Sequence, residues 1–317
     1  MGAIIESVHA CQPRHWKLHE GSVALAARAA NECLQQANCP ANNLDLLINT
    51  GVYRDQHICE PAQASFIQQR IGANTEPPPE GQKGTFSFDL ANGGCGFLVA
   101  IQVIDSFIRS GEAQYGMVVT SDMDTNPAVS EGANFTPAGG ALLLSSDHSG
   151  YGFSEFHFDP FSHHAHMFDA YVSWVKNKKP RRLRLLPYSG HALLMEKDDR
   201  YLAACVECSQ TALNHFLEKV GMKPEEIDLI ISSHYPPGFP RALEESLAAG
   251  SKKNRVVDVT DRFGAVYTAG IAASLQAAML SGQWGNVHNV LFLAVGAGIL
   301  VGVALYKVKP PHTSISY

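Results

Sequence analysis

The chain repeats itself. Residues 25–50 (LAARAANECLQQANCPANNLDLLINT) and 208–233 (CSQTALNHFLEKVGMKPEEIDLIISS) both read as an amphipathic helix, a short polar turn and a buried strand. Leu34 aligns with Leu217, Leu44 with Ile227 and Asp45 with Asp228, each at an offset of 183 residues. A fixed offset held over such a length points to duplicated halves. The continuation agrees. Residues 95–111 and 266–282 are helical patterns that end in Ser-Gly, and each is followed by an apolar strand, at 116–121 and 290–295. Ala138-Gly139-Gly140 and Gly296-Ala297-Gly298 are then expected as turns before one more strand in each half. Helices alternating with continuous apolar strands predict an α/β fold whose sheets are covered by helices on their faces. We expect a first half over residues 1–155, and over 156–317 a cap segment with the second half. The cap is read from residues 152–195, which hold His157, His163, His164 and His166 and then a basic run.

Composition narrows the function classes. Charged residues are 17% of the chain and hydrophobic ones 45%, against a usual ~25% charged, which leaves ample material for a large core. Twenty-four Lys and Arg against 30 Asp and Glu give a net charge of −6, no footprint for nucleic acid. The longest apolar stretch, 290–308, is crossed by Gly296, Gly298 and Gly302 and reads as two strands around a turn, not a membrane span. The first ten residues carry Glu6 and no basic start, so no secretory leader is expected. Seven cysteines, an odd count without a paired framework, suggest a reduced, cytoplasmic chain. Cys205 and Cys208 form a C-x-x-C inside a helical pattern, where two core-facing thiols are expected over a zinc or redox site. A polar cap segment is likewise favoured over a metal site for the four histidines.

Three segments carry candidate chemistry. In FDLANGGCGFL (residues 88–98) a short apolar run meets a glycine turn, and Cys95 opens a helix. A thiol there sits at the positive end of the helix dipole, which favours the thiolate. Taken alone, Cys95 reads better as a small buried residue. His234 follows the strand of residues 228–233 and, if the halves pack about a pseudo-twofold axis, converges on Cys95; a Cys–His pair within hydrogen-bond reach suits acyl transfer. Taken alone it is a surface histidine in a Pro-rich loop. Gly296-Ala297-Gly298 exposes backbone N–H groups that suit an oxyanion hole or simply make a tight turn.

Together these segments resemble the β-ketoacyl carrier-protein synthase III group of the thiolase superfamily. Its D-x-x-x-x-C-x-G-F motif is assigned to residues 89–97 with Cys95 as the cysteine, its histidine to His234, and its Gly-rich turn to Gly296-Ala297-Gly298 and Gly302. The resemblance implies a five-layer αβαβα thiolase fold, dimeric through the first half. It implies an acyl-thioester condensing enzyme in which Cys95 takes an acyl group from coenzyme A or a carrier protein. It also implies that His234 acts as base or polarising group and that the amides of Cys95 and Ala297 hold the thioester oxygen. No cofactor beyond the coenzyme A or phosphopantetheine thioesters is implied. Arg241, with Arg181 and Arg182 from the basic run, is expected to meet the donor.

Three departures stand out. The family's G-N-T-S is Gly264-Ala265-Val266-Tyr267, and alanine cannot donate a hydrogen bond. Its H-Q-A-N is His234-Tyr235-Pro236-Pro237, and its W-I-x-x-R-x-G-I has no clear match before His15-Trp16. The expected role is therefore in specialised-metabolite or fatty-acid-derived biosynthesis, as a homodimer or a heterodimer with a related subunit. The alternatives are a non-decarboxylating acyltransferase to an O or N acceptor and a supporting subunit of a heterodimeric synthase.

Overall fold

A computed structural model describes residues 2–14, 20–81, 83–124, 126–147, 149–178, 188–248 and 255–309. The first half runs β1 (Gly2–Cys11), α1 (Ser22–Gln36), β2 (Leu46–Asn49), α2 (Gln63–Ile71), β3 (Phe86–Asp89), α3 (Gly96–Arg109), β4 (Tyr115–Asp122) and β5 (Ala138–Asp147). It forms one sheet in the order β1-β5-β4-β2-β3. The rest runs β6 (Gly152–Pro160), β7 (Phe168–Lys178), β8 (Tyr188–Lys197), α4 (Tyr201–Val220), β9 (Leu229–Ser232), α5 (Phe239–Ala248), α6 (Thr260–Phe263), α7 (Gly270–Leu280), β10 (Asn289–Gly296) and β11 (Leu300–Lys307). Its sheet is β6-β11-β10-β9, with β7 and β8 apart as an antiparallel pair. A bridge from Ile230 to Val256 stands where β3 stands beside β2 in the first sheet.

The two sheets thus have one topology, and the repeat has a physical basis. Asp45, before β2, accepts the N–H groups of Gln114 and Tyr115 and so pins the start of β4. Asp228, before β9, accepts those of His288 and Asn289 and pins β10 in the same way.

Strand alternation then sends successive side chains to opposite faces. Leu46 and Ile48 face α3 and α7 in the middle of the molecule, while Leu47, Met117 and Val119 face α1 and α2 outside. In the second sheet Ile231, Phe292 and Ala294 face the same middle layer, and Leu291, Leu293 and Val303 face α4. The layers are α1–α2, sheet, α3–α7, sheet, α4–α5, the five-layer thiolase order expected from the resemblance. α7 is buried on nearly every side, as a helix between two sheets must be.

Two expectations need correction. Ala138-Gly139-Gly140 is not a turn but the start of β5. A Cβ on Gly139 would lie 2.9 Å from Leu25 Cγ, and one on Gly140 2.7 Å from Ala272 Cβ. These glycines let helices approach both faces of a strand, a use of glycine that local sequence does not distinguish from turning. The divide expected after residue 155 falls inside β6, whose residues pair with β11; the sheets part before Gly152. Beyond β6, the expected cap is the β7–β8 hairpin with the short helical turn Ser162–Met167.

Candidate functional site

β3 delivers the chain to the start of α3. Asp89, at its end, accepts the N–H groups of Gln63 and Ala64 and bonds Asn49 and Arg54. It therefore caps α2, the favourable place for a carboxylate. The chain then turns tightly through Asn92, with Gly93 at φ +50 and the Cys95 N–H donated to Asn92 O at 3.1 Å.

Cys95 does open the helix, but its side chain points into the fold. Sγ lies 3.2 Å from Leu300 O and 3.5 Å from Ala294 O, and the residue is fully buried. Burial pushes its pKa up to about 12. The thiolate expected from the helix dipole is thus not favoured: removal from water outweighs both the dipole and the backbone hydrogen bond from Gly302 that favours the anion.

His234 is also buried, and its ring faces elsewhere. Nε2 accepts the Val259 N–H at 3.0 Å and lies 3.6 Å from Asp258 Oδ1. Nδ1 lies 3.3 Å from both Ser232 O and Ser274 Oγ. In turn, the imidazole and Thr260 hold the Asp258 carboxyl well below the usual range. The expected Cys95–His234 hydrogen bond is absent, since both side chains are engaged by other partners. Ser233, one residue earlier, is the side chain that turns toward the junction: its Oγ accepts the Val295 N–H at 3.1 Å.

The same one-residue shift is present in the cysteine motif. D-x-x-x-x-C-x-G-F puts four residues between Asp and Cys and one between Cys and Gly. Here five residues separate Asp89 from Cys95, and Gly96-Phe97 follows at once. With Asp89, Gly96 and Phe97 in register, the cysteine position is Gly94. A Cβ on Gly94 would lie 2.3 Å from Val295 O, so the main chain as it stands has no room for a side chain there.

The oxyanion assignment changes accordingly. The Cys95 amide is used within its own turn. The Ala297 nitrogen lies at the junction, 3.8 Å from where a Cβ on Gly93 would sit, and Tyr267 Oη lies 3.4 Å from that point. Tyr267 belongs to a packed aromatic group: its ring centroid is 5.0 Å from those of Tyr53 and Tyr235, and Tyr53 stacks on Phe135 at 4.9 Å. Lys197 from β8 closes the group, donating to Tyr235 Oη and Asn134 Oδ1. Sequence reasoning did not select Gly94, Ser233 or Tyr267. A strict count of motif spacing finds the first, while the other two depend on which way a strand end and a turn face.

Ala265, in place of the family's asparagine, accepts the Thr136 N–H through its carbonyl. Arg241 is exposed on α5 and paired with Glu245. Arg181 and Arg182 lie outside the described residues, as does most of the basic run. Cys205 and Cys208 are buried on α4, as expected of core thiols. Among the described residues no helix is long and apolar enough to cross a membrane.

The chain matches two family profiles, 3-oxoacyl-(acyl-carrier-protein) synthase III over residues 88–160 and the C-terminal region of the same enzyme over 217–308. Beta-ketoacyl-(acyl-carrier-protein) synthase III of Aquifex aeolicus is 25% identical over 289 residues, 89% of this chain and 83% of the relative. That of Desulfotalea psychrophila is 25% identical over 311 residues, 94% and 88%. The crystal structure of the Aquifex aeolicus synthase superposes with a TM-score of 0.75 at 21% identity, covering 96% of this chain and all of that one. A variant of OleA from Xanthomonas campestris, crystallised with lauric acid and lauroyl-CoA, superposes with a TM-score of 0.76 at 17% identity over 97% and 99%. With the two profiles together spanning just over half of the sequence and the duplicated five-layer fold in place, the chain belongs to the 3-oxoacyl-(acyl-carrier-protein) synthase III family of acyl-thioester condensing enzymes, in the thiolase superfamily.

Proposed function

We propose that this chain serves acyl-thioester condensation as one subunit of a condensing enzyme whose acyl group is carried by a partner subunit of the same family. The observation that carries this reading is the junction at α3. Glycine stands at the motif's nucleophile position, and the neighbouring thiol is buried against Leu300 O and Ala294 O. Ser233 and Ala265 add to it, because neither supplies an imidazole or an amide donor at the junction. The first sheet supplies a docking edge: β3 is its last strand, with Phe86 59% exposed and packed on Phe88. An unpaired apolar edge invites strand addition from another subunit. The substrates are thioesters of coenzyme A or of a carrier protein, the class named for the relatives, and Arg241 is the described cation assigned to the donor's phosphates. Acyl transfer in the assembly is then the partner's chemistry, and this chain completes its fold and entrance.

The test is intact-protein mass spectrometry after incubation with acyl-CoA and acyl-carrier-protein thioesters, with the chain alone and co-expressed with a cysteine-bearing family member. The expected result is no adduct on this chain and an acyl adduct on the partner. An adduct on this chain that maps to Cys95 would overturn the reading and restore an acyl-Cys95 enzyme.

A further inference from the structure

β6 and α4 face each other on the outer side of the second sheet, and the polar side chains between them take no part in the junction. Near its end, Lys219 reaches Glu155 Oε2 at 3.3 Å, an ordinary surface ion pair. One helical turn earlier on α4 the arrangement differs. His157 and Asp159 are two residues apart on β6 and so share a face; they pair in register with Val303 and Val301 of β11. His215 faces them from α4, next to the buried Phe216 and Leu217. His157 Nε2 lies 2.9 Å from Asp159 Oδ1, and His215 Nδ1 lies 2.9 Å from Asp159 Oδ2.

We infer that His157, Asp159 and His215 form a binding site for a divalent transition metal of the zinc type. Two imidazole nitrogens converging on one carboxylate form the donor set that a zinc-type ion takes directly. The three donor atoms lie within 4.8 Å of one another, a spacing that small side-chain adjustments bring to the ~3–3.5 Å between ligand atoms bonded at ~2.0–2.1 Å to zinc. Two nitrogens and a carboxylate suit zinc, cobalt or nickel better than magnesium or calcium. The donors come from a strand held in a sheet and a helix held by its core face, so the frame is already rigid. His215 is the most exposed of the three, with 55% of its side chain accessible, which leaves the remaining coordination positions to water. Bound metal would tie α4 to the edge of the second sheet. Neither histidine spacing nor local pattern reveals the set, because His215 is 56 residues from Asp159 in sequence.

The experiment uses the full chain after chelator treatment, titrated with zinc sulfate by calorimetry and followed by thermal melting, with His215→Ala and Asp159→Asn alongside. The expected result is a site of one zinc per chain that raises the melting temperature. Each variant should bind at least about tenfold more weakly and lose the zinc-dependent shift. Melting of the metal-free variants checks that they fold, and zinc-edge X-ray absorption should show a shell of nitrogen and oxygen alone. Unchanged zinc affinity in His215→Ala, sulfur in the shell, or no zinc-dependent shift in the unmodified chain would overturn the site.

Discussion

The starts of α3 and α7 occupy matching places in the two halves and differ in almost everything else. Before α7 the chain runs Tyr267-Thr268-Ala269; before α3 it runs Gly93-Gly94-Cys95. Thr268 donates both its N–H, at 2.9 Å, and its hydroxyl to Asp122 Oδ2, at the end of β4. The residue that ends β10 in the matching place is Gly296, packed against the nitrogens of Gly94 and Cys95. One helix start is anchored across the molecule by a buried carboxylate, and the other is reduced to main chain lying on main chain. A duplicated scaffold therefore fixes where a helix begins but not what its first turn presents. At such a junction a shift of one residue decides whether a side chain reaches a substrate or the core.

Removing the anchor should have the largest effect. Asp122 is buried and also accepts the Val52 and Tyr53 N–H groups at 3.0 Å each. Asp122→Ala leaves those donors and the Thr268 N–H without their acceptor, and should cost more than about 3 kcal/mol in chemical denaturation. A loss below about 1 kcal/mol would mean that the α7 start does not depend on this carboxylate. Filling the bare start comes next. Gly94→Ala puts a methyl group against Val295 O and should cost about 1–3 kcal/mol, measured the same way. If the variant were as stable as the parent, the glycine turn would have room to open, and a nucleophile at that position would again be feasible.

The remaining tests concern thiol chemistry. With a pKa of about 12, Cys95 holds roughly one thiolate in ten thousand at pH 8. Iodoacetamide should label the exposed Cys59 in the native chain and leave Cys95 unlabelled by peptide mass mapping. Burial also raises Cys205 to about 12 and Cys11 and Cys33 to about 11, from an ordinary 9.0. The fold therefore keeps protons that the unfolded chain releases above about pH 9. The stability these thiols contribute is complete below that pH and is lost as pH rises through 11–12. Urea midpoints should fall between pH 8 and pH 10, and a flat profile would contradict the burial of these groups.

Much of the scaffold was legible in the sequence. The repeat at a fixed offset marks Asp45 and Asp228, which perform one task in both halves, and apolar periodicity marks the central helices. The site was less legible because its meaning depends on facing direction. Cys95 and His234 are the residue types that acyl transfer uses, in nearly the right places. A one-residue displacement at a strand end or a tight turn reverses which side a side chain occupies, and composition does not register it. Gly139 and Gly140 show the converse limit: the pattern that marks a turn also marks a strand pressed between helices.

The two aspartate clamps and the Asp122 anchor act over different lengths of chain. Asp45 reaches Gln114 across 69 residues and Asp228 reaches His288 across 60, whereas Asp122 reaches Thr268 across 146. Asp45 and Asp228 therefore each act inside one half, whereas Asp122 and Thr268 join the two. If each half assembles before the halves dock, the Asp122–Thr268 contact is a latch between them, and its loss should raise the unfolding rate and leave the refolding rate almost unchanged.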